Sequence, residues 1–480
     1  MRRWLSLGLA VAVCLLAVLS VLPSGEEQAP RAAALLAAAE GLDTISIDAS
    51  YDPDLRKLAV RQTFALVNRT GADQPVLFLR AYASAFRDED YAPSATEELH
   101  SLCYPAGFSA GGIEITACGL AYRFADDAQT ILALTPAAPW KNGETLTLDI
   151  SYTLTIPLAA YRFGEYGGVT ALGNAFLIPA AYLDGEYTAD AYYSVGSPFT
   201  SECRNYTLRI TLPEGYAAFG SGTAATNGRE TVFTAPASRD LALCISKSCQ
   251  SAQTLYNNVR ITAYARTAAG ADAMAKTAKQ ALRIYSELYG AYPYPTLTLA
   301  EVALPFEASV YPSFAMIAAD AVSGSGEALE IAVARAVAGQ WFEAVVGTDG
   351  YRQPWQSEAL KEYALLSYWK KAHGADAWES LRYSRVDTAM RLTAGSLTPG
   401  SPLFYFYDWG EYRTVVWHRG AAALFALDLA LDGKLDEFLA AYYDTNAFSI
   451  ASRADFEAAL QAFSGGDWSA LLADMLDTIQ

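Results

Sequence analysis

The chain has 480 residues, enough for about two or three domains, and its 52% hydrophobic composition permits large buried cores. Its 34 basic and 52 acidic side chains give a formal net charge of −18. A surface this acidic repels a phosphate backbone, and the sequence has no basic run that would attract one. We therefore expect no nucleic-acid partner.

The amino terminus is typical of a segment that enters a membrane. A basic start at residues 1–3 precedes an uncharged, mostly apolar stretch at residues 4–22. This stretch exceeds the usual signal core of roughly 7–15 residues and is just long enough to span a bilayer. We expect residues 1–25 to anchor the protein at the cell membrane with its body on the extracytoplasmic face. The alternative is a cleaved signal and a secreted protein. Residues 26–42 are predicted to be a spacer.

The cysteines outside that stretch are Cys103, Cys118, Cys203, Cys244 and Cys249. Their odd number leaves at least one thiol unpaired or bonded between chains. Cys244 and Cys249 have metal-ligand spacing, but a thiolate zinc site needs a second close pair. We interpret the five as one or two disulfides or as buried thiols, with the pairing left open.

Residues from about 44 to about 266 have the pattern of β-structure. Residues 146–156 alternate apolar side chains with others, which predicts a strand with one buried face, and residues 206–212 repeat the pattern. Asn-Gly pairs at 142–143 and 227–228 indicate tight turns between strands.

Beyond about residue 268 the periodicity becomes helical. Residues 271–289 carry apolar side chains three and four residues apart, and Gly290 closes the run. The fold is predicted to be α+β, with an all-β domain at 43–266 and a mainly helical domain at 267–480. The further predicted helices cover residues 326–346, 357–372, 375–393, 414–431 and 452–463.

Residues 331–363 contain the frame of a zinc-peptidase helix. In such a helix two histidines four residues apart bind the metal, and a glutamate beside the first is the general base. Here Gln-Trp-Phe at 340–342 follows the place of the second histidine, and Pro-Trp at 354–355 precedes Glu358. This pattern resembles the aminopeptidase-N-like zinc metallopeptidases, the gluzincin family that includes membrane alanyl aminopeptidase.

The resemblance covers most of the chain and carries structural expectations. It implies a saddle-like β-sandwich as the amino-terminal domain, followed by a thermolysin-like, mainly α-helical peptidase domain. The family motif is His-Glu-x-x-His followed directly by Gln-Trp-Phe, and eighteen residues separate the second histidine from a glutamate that is the third ligand. Eighteen residues also separate Gly339 from Glu358 here.

In that register the metal-binding chemistry is missing. Arg335 stands at the first histidine, Ala336 at the general base and Gly339 at the second histidine, so Glu358 is the only ligand left. A guanidinium stays protonated, and glycine and alanine have no donor atom in their side chains. We predict no metal and no other cofactor. We interpret the three histidines of the chain as surface or locally bonded residues: His100, His373 and His418.

Two further family positions have changed. In the family, a strand glutamate holds the substrate's amino terminus, and Val310 occupies that position here. Glu307 lies three residues earlier and is expected to face the opposite side of an extended strand. The family also uses a tyrosine to stabilise the tetrahedral intermediate. Trp417 stands in its place, and we interpret it as packing in the core or the cleft.

The sequence therefore predicts a catalytically inactive homologue of a zinc aminopeptidase. We expect it to bind a peptide or protein through the former substrate cleft. Arg335 is predicted to pair with Glu358, with Glu362 one helical turn on as a second partner, because an unpaired buried charge is costly. The residues expected to line the cleft are Tyr311, Trp341, Trp355 and Trp417.

Two other hypotheses remain open at this point. The chain could be an active metallo-aminopeptidase or hydrolase with a non-standard site, binding zinc or a hard cation. It could instead be a purely structural surface component. The carboxylates available for a non-standard site are Glu301, Glu307, Glu343 and Glu358.

Overall fold

The computed structural model describes residues 25–93, 96–392 and 395–478. It has a large β-rich amino-terminal part and a helical carboxy-terminal part, so the predicted α+β class is confirmed. The narrower description of the first part as a saddle-like β-sandwich remains a prediction.

The strands of the first part form several antiparallel or mixed sheets. They are β1 (Thr44–Asp52), β2 (Lys57–Val67), β3 (Leu77–Arg80), β4 (Gly112–Cys118), β5 (Ala121–Phe124), β6 (Ile131–Thr135), β7 (Thr145–Thr155), β8 (Phe163–Tyr166), β9 (Val169–Leu172), β10 (Ile178–Pro179), β11 (Tyr182–Leu183), β12 (Glu186–Tyr187), β13 (Arg204–Thr211), β14 (Ala217–Gly220), β15 (Thr223–Asn227), β16 (Glu230–Ser238) and β17 (Leu243–Ser246). The largest sheet has seven strands in the order β15-β16-β13-β1-β2-β7-β4.

The predicted alternation and turns are present in this sheet. Every second residue of β7 from Leu148 onward is buried, which gives the strand one core face. Gly143 precedes β7 with φ 80°, and Gly228 joins β15 to β16 with φ 61°. Both glycines lie in the left-handed region that such turns require.

The second part combines a five-stranded sheet with most of the helices. Its strands are β18 (Gln250–Tyr256), β19 (Val259–Ala265), β20 (Thr296–Val302), β21 (Ala308–Tyr311), β22 (Phe314–Ala318), β23 (Gly347–Thr348) and β24 (Ile450–Ala451). The sheet order is β18-β19-β20-β22-β21, whereas β23 and β24 pair only with each other. Strand β19 pairs with β20, so the hairpin at 250–265 belongs with the second part although the sequence places it before the predicted boundary.

The described helices are α1 (Gly25–Ala38), α2 (Glu97–Cys103), α3 (Ala268–Tyr289), α4 (Ala319–Ser323), α5 (Gly326–Gly339), α6 (Trp355–His373), α7 (Ala375–Arg382), α8 (Thr388–Arg391), α9 (Trp409–Tyr412), α10 (Gly420–Ala430), α11 (Leu435–Asn446), α12 (Arg453–Ser464) and α13 (Ser469–Asp477). Helices α3, α4 and α5 contact the five-stranded sheet, and most later helices pack against one another. Short 3₁₀ turns occupy Tyr82–Phe86 and Leu403–Tyr405.

Three predicted helices are interrupted by wider, π-helical turns. These turns are Gln340–Val345, Tyr383–Asp387 and Arg413–Arg419. Apolar periodicity does not distinguish a π turn from an α turn, which is why the sequence predicts unbroken helices there. Six of the described helices were not predicted: α1, α2, α4, α9, α11 and α13.

The amino-terminal end of the described chain contacts the second part. Helix α1 begins at the last residue of the predicted anchor segment and covers most of the predicted spacer, and its Arg31 forms an ion pair with Asp444. Leu35 and Leu36 pack against the helical core. The predicted anchor at residues 4–22 lies outside the described residues, and no single helix within them is long and apolar enough to cross a membrane.

The thiols of the described chain are not joined to one another. All five cysteines predicted to be disulfides or buried thiols are free, and three of them are buried: Cys103, Cys203 and Cys244.

Arg239 joins the two parts at the end of the site helix. Its guanidinium donates to the carbonyls of Ala344 at 2.9 Å and Val345 at 2.7 Å, just where the π turn after α5 ends. It also donates to Ser201 and Ser449 carbonyls at 2.8 and 2.6 Å. These bonds satisfy buried carbonyls and hold the site helix against the β-rich part.

Candidate functional site

Helix α5 is positioned by polar contacts at both ends. The Ser325 hydroxyl accepts from the backbone N–H of Ala328 at 3.1 Å and caps the first turn. At the other end, the buried Gln340 amide donates to the Tyr311 carbonyl at 3.0 Å and accepts from the Ser313 N–H at 2.8 Å.

Trp341 completes this attachment, since its indole donates to the Gly290 carbonyl at 3.1 Å. The Gln-Trp-Phe run is therefore structural: it attaches the site helix to neighbouring strands and loops, and none of these contacts needs a metal.

Arg335 lies at the centre of the site and is 8% exposed. Its Nη2 is 2.6 Å from Glu358 Oε2, and its Nε is 3.0 Å from Glu362 Oε2. The guanidinium carbon also lies 3.5 Å from the ring centroid of Trp417, a close cation–π contact. The structure thus brings Arg335 together with both carboxylates that the sequence proposed as partners, and it places Trp417 over the ion pair.

Lys361 is a second buried cation in the site. It lies one helical turn after Glu358 on α6, and its Nζ is 3.1 Å from Glu358 Oε1. The same ammonium contacts Glu343 Oε2, from the π turn that follows α5. Each oxygen of Glu358 therefore faces a different cation: Oε2 faces Arg335, and Oε1 faces Lys361.

Glu362 is the fully buried anion of the neighbouring cluster. Besides Arg335, it contacts Arg385 Nε at 2.5 Å and His418 Nδ1 at 3.2 Å. Arg385 in turn lies 3.5 Å from Glu307 Oε1. The cluster brings acidic and basic side chains together from five separate segments, which is how buried charges are made tolerable.

The pKa values of the carboxyls follow from this pairing. Burial alone would raise the pKa of Glu358, but the charges of Lys361 and Arg335 outweigh it and hold the pKa below its ordinary value. Burial also opposes ionisation of Glu362, yet Arg385 and His418 hold its pKa well below the ordinary value. For Glu343, burial dominates and raises the pKa, although Lys361 opposes it.

The small residues Ala336 and Gly339 leave little open space beside them. A Cβ atom built on Gly339 would lie 3.0 Å from both methyl carbons of Val310 and 3.2 Å from Lys361 Cδ. Ala336 is 2% exposed. The volume available to a side chain at 339 is already filled by Val310 and the Lys361 stem.

The expected orientation of Glu307 was wrong. Glu307 and Val310 line the same small cavity. The strict two-residue alternation does not apply because β21 begins at Ala308, and residues 305–307 form a bend.

The cavity at the site is small. It measures about 20 Å³, which is room for about one water molecule. Of the four aromatic residues expected to line a cleft, Trp417 lines this cavity. Tyr311, Trp341 and Trp355 are buried in the packed interior, which favours their interpretation as core residues.

The three histidines have local partners, and none of them lies on α5. His100 is 3.3 Å from Glu89, and His373 is 2.8 Å from Glu330. Within the described ranges, no group of three or more His, Cys, Asp or Glu side chains has a geometry suited to a metal ion.

The zinc ion that the resemblance implies does not fit the residues present. The first ligand position holds a protonated guanidinium, and both oxygens of Glu358 already contact cations. A dication placed there would be repelled by two buried positive charges. Glu301, a candidate for a non-standard site, instead contacts Arg266 outside this cluster.

Sequence reasoning missed Lys361 and Arg385. Lys361 did carry a signal, because residues three apart on a helix share a face and Glu358 had already been assigned to the site. Arg385 had none, because only packing brings its π-helical segment to α6.

No protein-family model and no curated protein matches the sequence. Solved structures do match. The M1 zinc metallopeptidase of Deinococcus radiodurans superimposes with a TM-score of 0.65 at 16% identity, covering 91% of this chain and 93% of that one. The chain has the fold of the M1 zinc metallopeptidases. A two-domain M1 zinc metallopeptidase variant bound to L-arginine also matches, with a TM-score of 0.65 and 18% identity over 92% of this chain and 94% of that one.

A third M1 structure contains a peptide. It is a glutamate-to-alanine variant of the Deinococcus radiodurans enzyme bound to a Tyr-Ser-Ala substrate, with a TM-score of 0.64 and 17% identity. The match covers 92% of this chain and 94% of the chain in that structure. At these identities the M1 likeness establishes the shared fold.

Glu362 should make the stability of the protein dependent on acid pH. Its pKa is well below the ordinary 4.5, so the ionised form stabilises the folded state above pH 4.5, and this is lost as pH falls through the folded pKa. Glu362→Gln leaves Arg335 and Arg385 without their shared anion. We expect it to cost about 3–5 kcal/mol at neutral pH. The difference in melting temperature between Glu362→Gln and the wild type should become smaller as the pH falls below 4.5.

The measurement is thermal unfolding from neutral to acid pH. Glu437→Gln, at an exposed position on α11, serves as control and should follow wild type throughout. If the difference in melting temperature between Glu362→Gln and the wild type stayed constant across this pH range, Glu362 would not be the ionised, stabilising group described here.

Proposed function

We propose that the protein is a catalytically inactive homologue of the zinc aminopeptidases. The observation that carries the proposal is the state of Glu358, whose two oxygens contact Arg335 and Lys361. A zinc peptidase needs an open coordination position and a general base for its bound water. Ala336, at the base position, supplies no such group. The alternative of an active metallohydrolase with a non-standard site finds little support, since each carboxylate proposed for it already contacts a cation.

Purified full-length protein should contain no stoichiometric metal and should not cleave aminoacyl reporter substrates, because both oxygens of Glu358 already contact buried cations and the side chains at 335 and 339 cannot bind zinc. Elemental analysis after purification without chelator tests the first expectation, and a fluorogenic alanyl or leucyl amide tests the second. An active M1 aminopeptidase, assayed in parallel, is the positive control. Stoichiometric zinc together with cleavage that a chelator abolishes would establish the active alternative.

The second element of the proposal is binding of a peptide or protein at the former cleft. The cavity of about 20 Å³ is far below the roughly 300–1,000 Å³ of pockets that enclose small ligands. A partner would therefore contact the partly exposed margin, where Trp409 stacks on Phe306 with centroids 5.1 Å apart. Partly exposed aromatic rings are frequent anchors at protein interfaces.

Tyr-Ser-Ala is a suitable probe because an M1 relative binds it. We expect the peptide to bind without being cleaved, and Trp409→Ala to weaken binding at least about tenfold through loss of an aromatic contact. Calorimetric titration measures the affinity for the peptide. Chromatography of the recovered peptide shows whether it has been cleaved. Leu429→Ala, at an 81% exposed position on α10, is the control. If Trp409→Ala and Leu429→Ala bound the peptide with equal affinity, the cleft margin would not be the binding site.

The third element is location on the extracytoplasmic face of the cell membrane, with residues 4–22 as the anchor. It rests on the length and composition of that stretch. Full-length protein should remain in the membrane pellet after an alkaline carbonate wash, whereas a chain starting at residue 25 should not. External protease should digest the body in spheroplasts. A mature amino terminus found after residue 22 would show instead that the segment is cleaved and the protein secreted.

A further inference from the structure

We propose that Lys361 is a second, independent barrier to metal binding, so that histidines restored at 335 and 339 would not bind zinc while Lys361 is present. This inference rests on the proposed loss of the zinc site and concerns what now occupies it. Replacement of three motif residues explains why the zinc ligands are missing. It does not by itself exclude a metal from a rebuilt motif.

The first support is the position of the ammonium. Lys361 is 3% exposed, and its Nζ bridges Glu358 on α6 and Glu343 on the π turn after α5. Glu358 is the one family ligand that remains. A zinc ion would lie about 2.1 Å from its coordinating oxygen. The ammonium, 3.1 Å from Oε1, competes for that oxygen.

The second support is volume. The Lys361 stem passes the backbone of Gly339, with Cδ 3.2 Å from the place of a Cβ atom. An imidazole at 339 needs far more room than one carbon. The 20 Å³ cavity cannot supply it. A histidine there would have to displace the lysine stem, the Val310 methyl groups, or both.

The third support is charge. If Arg335 were replaced by histidine, Lys361 would remain as a buried cation held by two carboxylates. A zinc ion beside it would meet like-charge repulsion in a poorly solvated interior. Removal of the ammonium would leave Glu358 without a cation in this variant, and a dication could then neutralise it.

The experiment compares zinc binding by full-length variants. The first carries Arg335→His, Ala336→Glu and Gly339→His, and the others add Lys361→Met, Lys361→Ala or Lys371→Ala to it. Lys361→Met removes the charge and keeps most of the stem, and Lys361→Ala removes both. Lys371→Ala is the matched control, because Lys371 is an exposed lysine of the same helix. Zinc content after dialysis and titration against a chromophoric chelator give the affinities, and circular dichroism verifies folding.

We expect the three-residue variant and its Lys371→Ala derivative to bind little zinc. Adding Lys361→Ala should raise affinity by roughly 10- to 100-fold, the range by which groups around a metal site change affinity. The variant that adds Lys361→Met should have a zinc affinity between those of the three-residue variant and its Lys361→Ala derivative. Tight zinc binding with Lys361 in place would overturn the proposal, and so would folded Lys361→Ala protein that still binds none. Zinc in the wild type would instead refute the loss of the metal site itself.

A milder pair of changes tests the steric part if the rebuilt variants fail to fold. Gly339→Ala should lower the melting temperature in the wild-type background and should lower it less in the Lys361→Ala background, because the stem is then gone. A double-mutant cycle isolates this coupling. An identical shift in both backgrounds would show that Lys361 does not restrict position 339.

Discussion

The buried contact between Arg335 and Glu358 is the interaction on which the rest of the site depends. A carboxylate that is 3% exposed cannot remain ionised without a cation within bonding distance. Once one arginine is buried beside it, each further charge needs its own partner. Glu362 balances Arg335, and Arg385 balances Glu362. Such a cluster adds little net stability compared with apolar packing, yet removal of one member is costly. It is therefore expected to persist or disappear as a unit.

The frame around the site has a separate physical basis. Gln340, Trp341 and Arg239 satisfy backbone groups that packing has buried, and they fix α5 against strands from both parts of the molecule. These hydrogen bonds stabilise the fold equally well whether or not a metal lies nearby. The Gln-Trp-Phe frame can therefore be present on a helix that has no zinc ligands. For the same reason, likeness of fold to the M1 peptidases says little about chemistry.

The same packing shapes what the former cleft can do. Val310 and the lysine stem fill the volume beside Gly339, and Trp417 covers Arg335. What remains has room for about one water molecule. The partly exposed aromatic side chains Phe306 and Trp409 lie at the margin of this cavity. Its centre is occupied by paired charges.

The sequence by itself determined the α+β layout, because periods of two and of three to four residues follow directly from strand and helix geometry. It also determined that positions 335, 336 and 339 lack zinc ligands, since that depends only on residue identity. Only the tertiary structure decided which charges meet. Arg385 and His418 reach Glu362 from segments far along the chain, and a bend before β21 turns Glu307 into the same cavity as Val310. Such contacts depend on how separate elements pack, which local patterns do not encode.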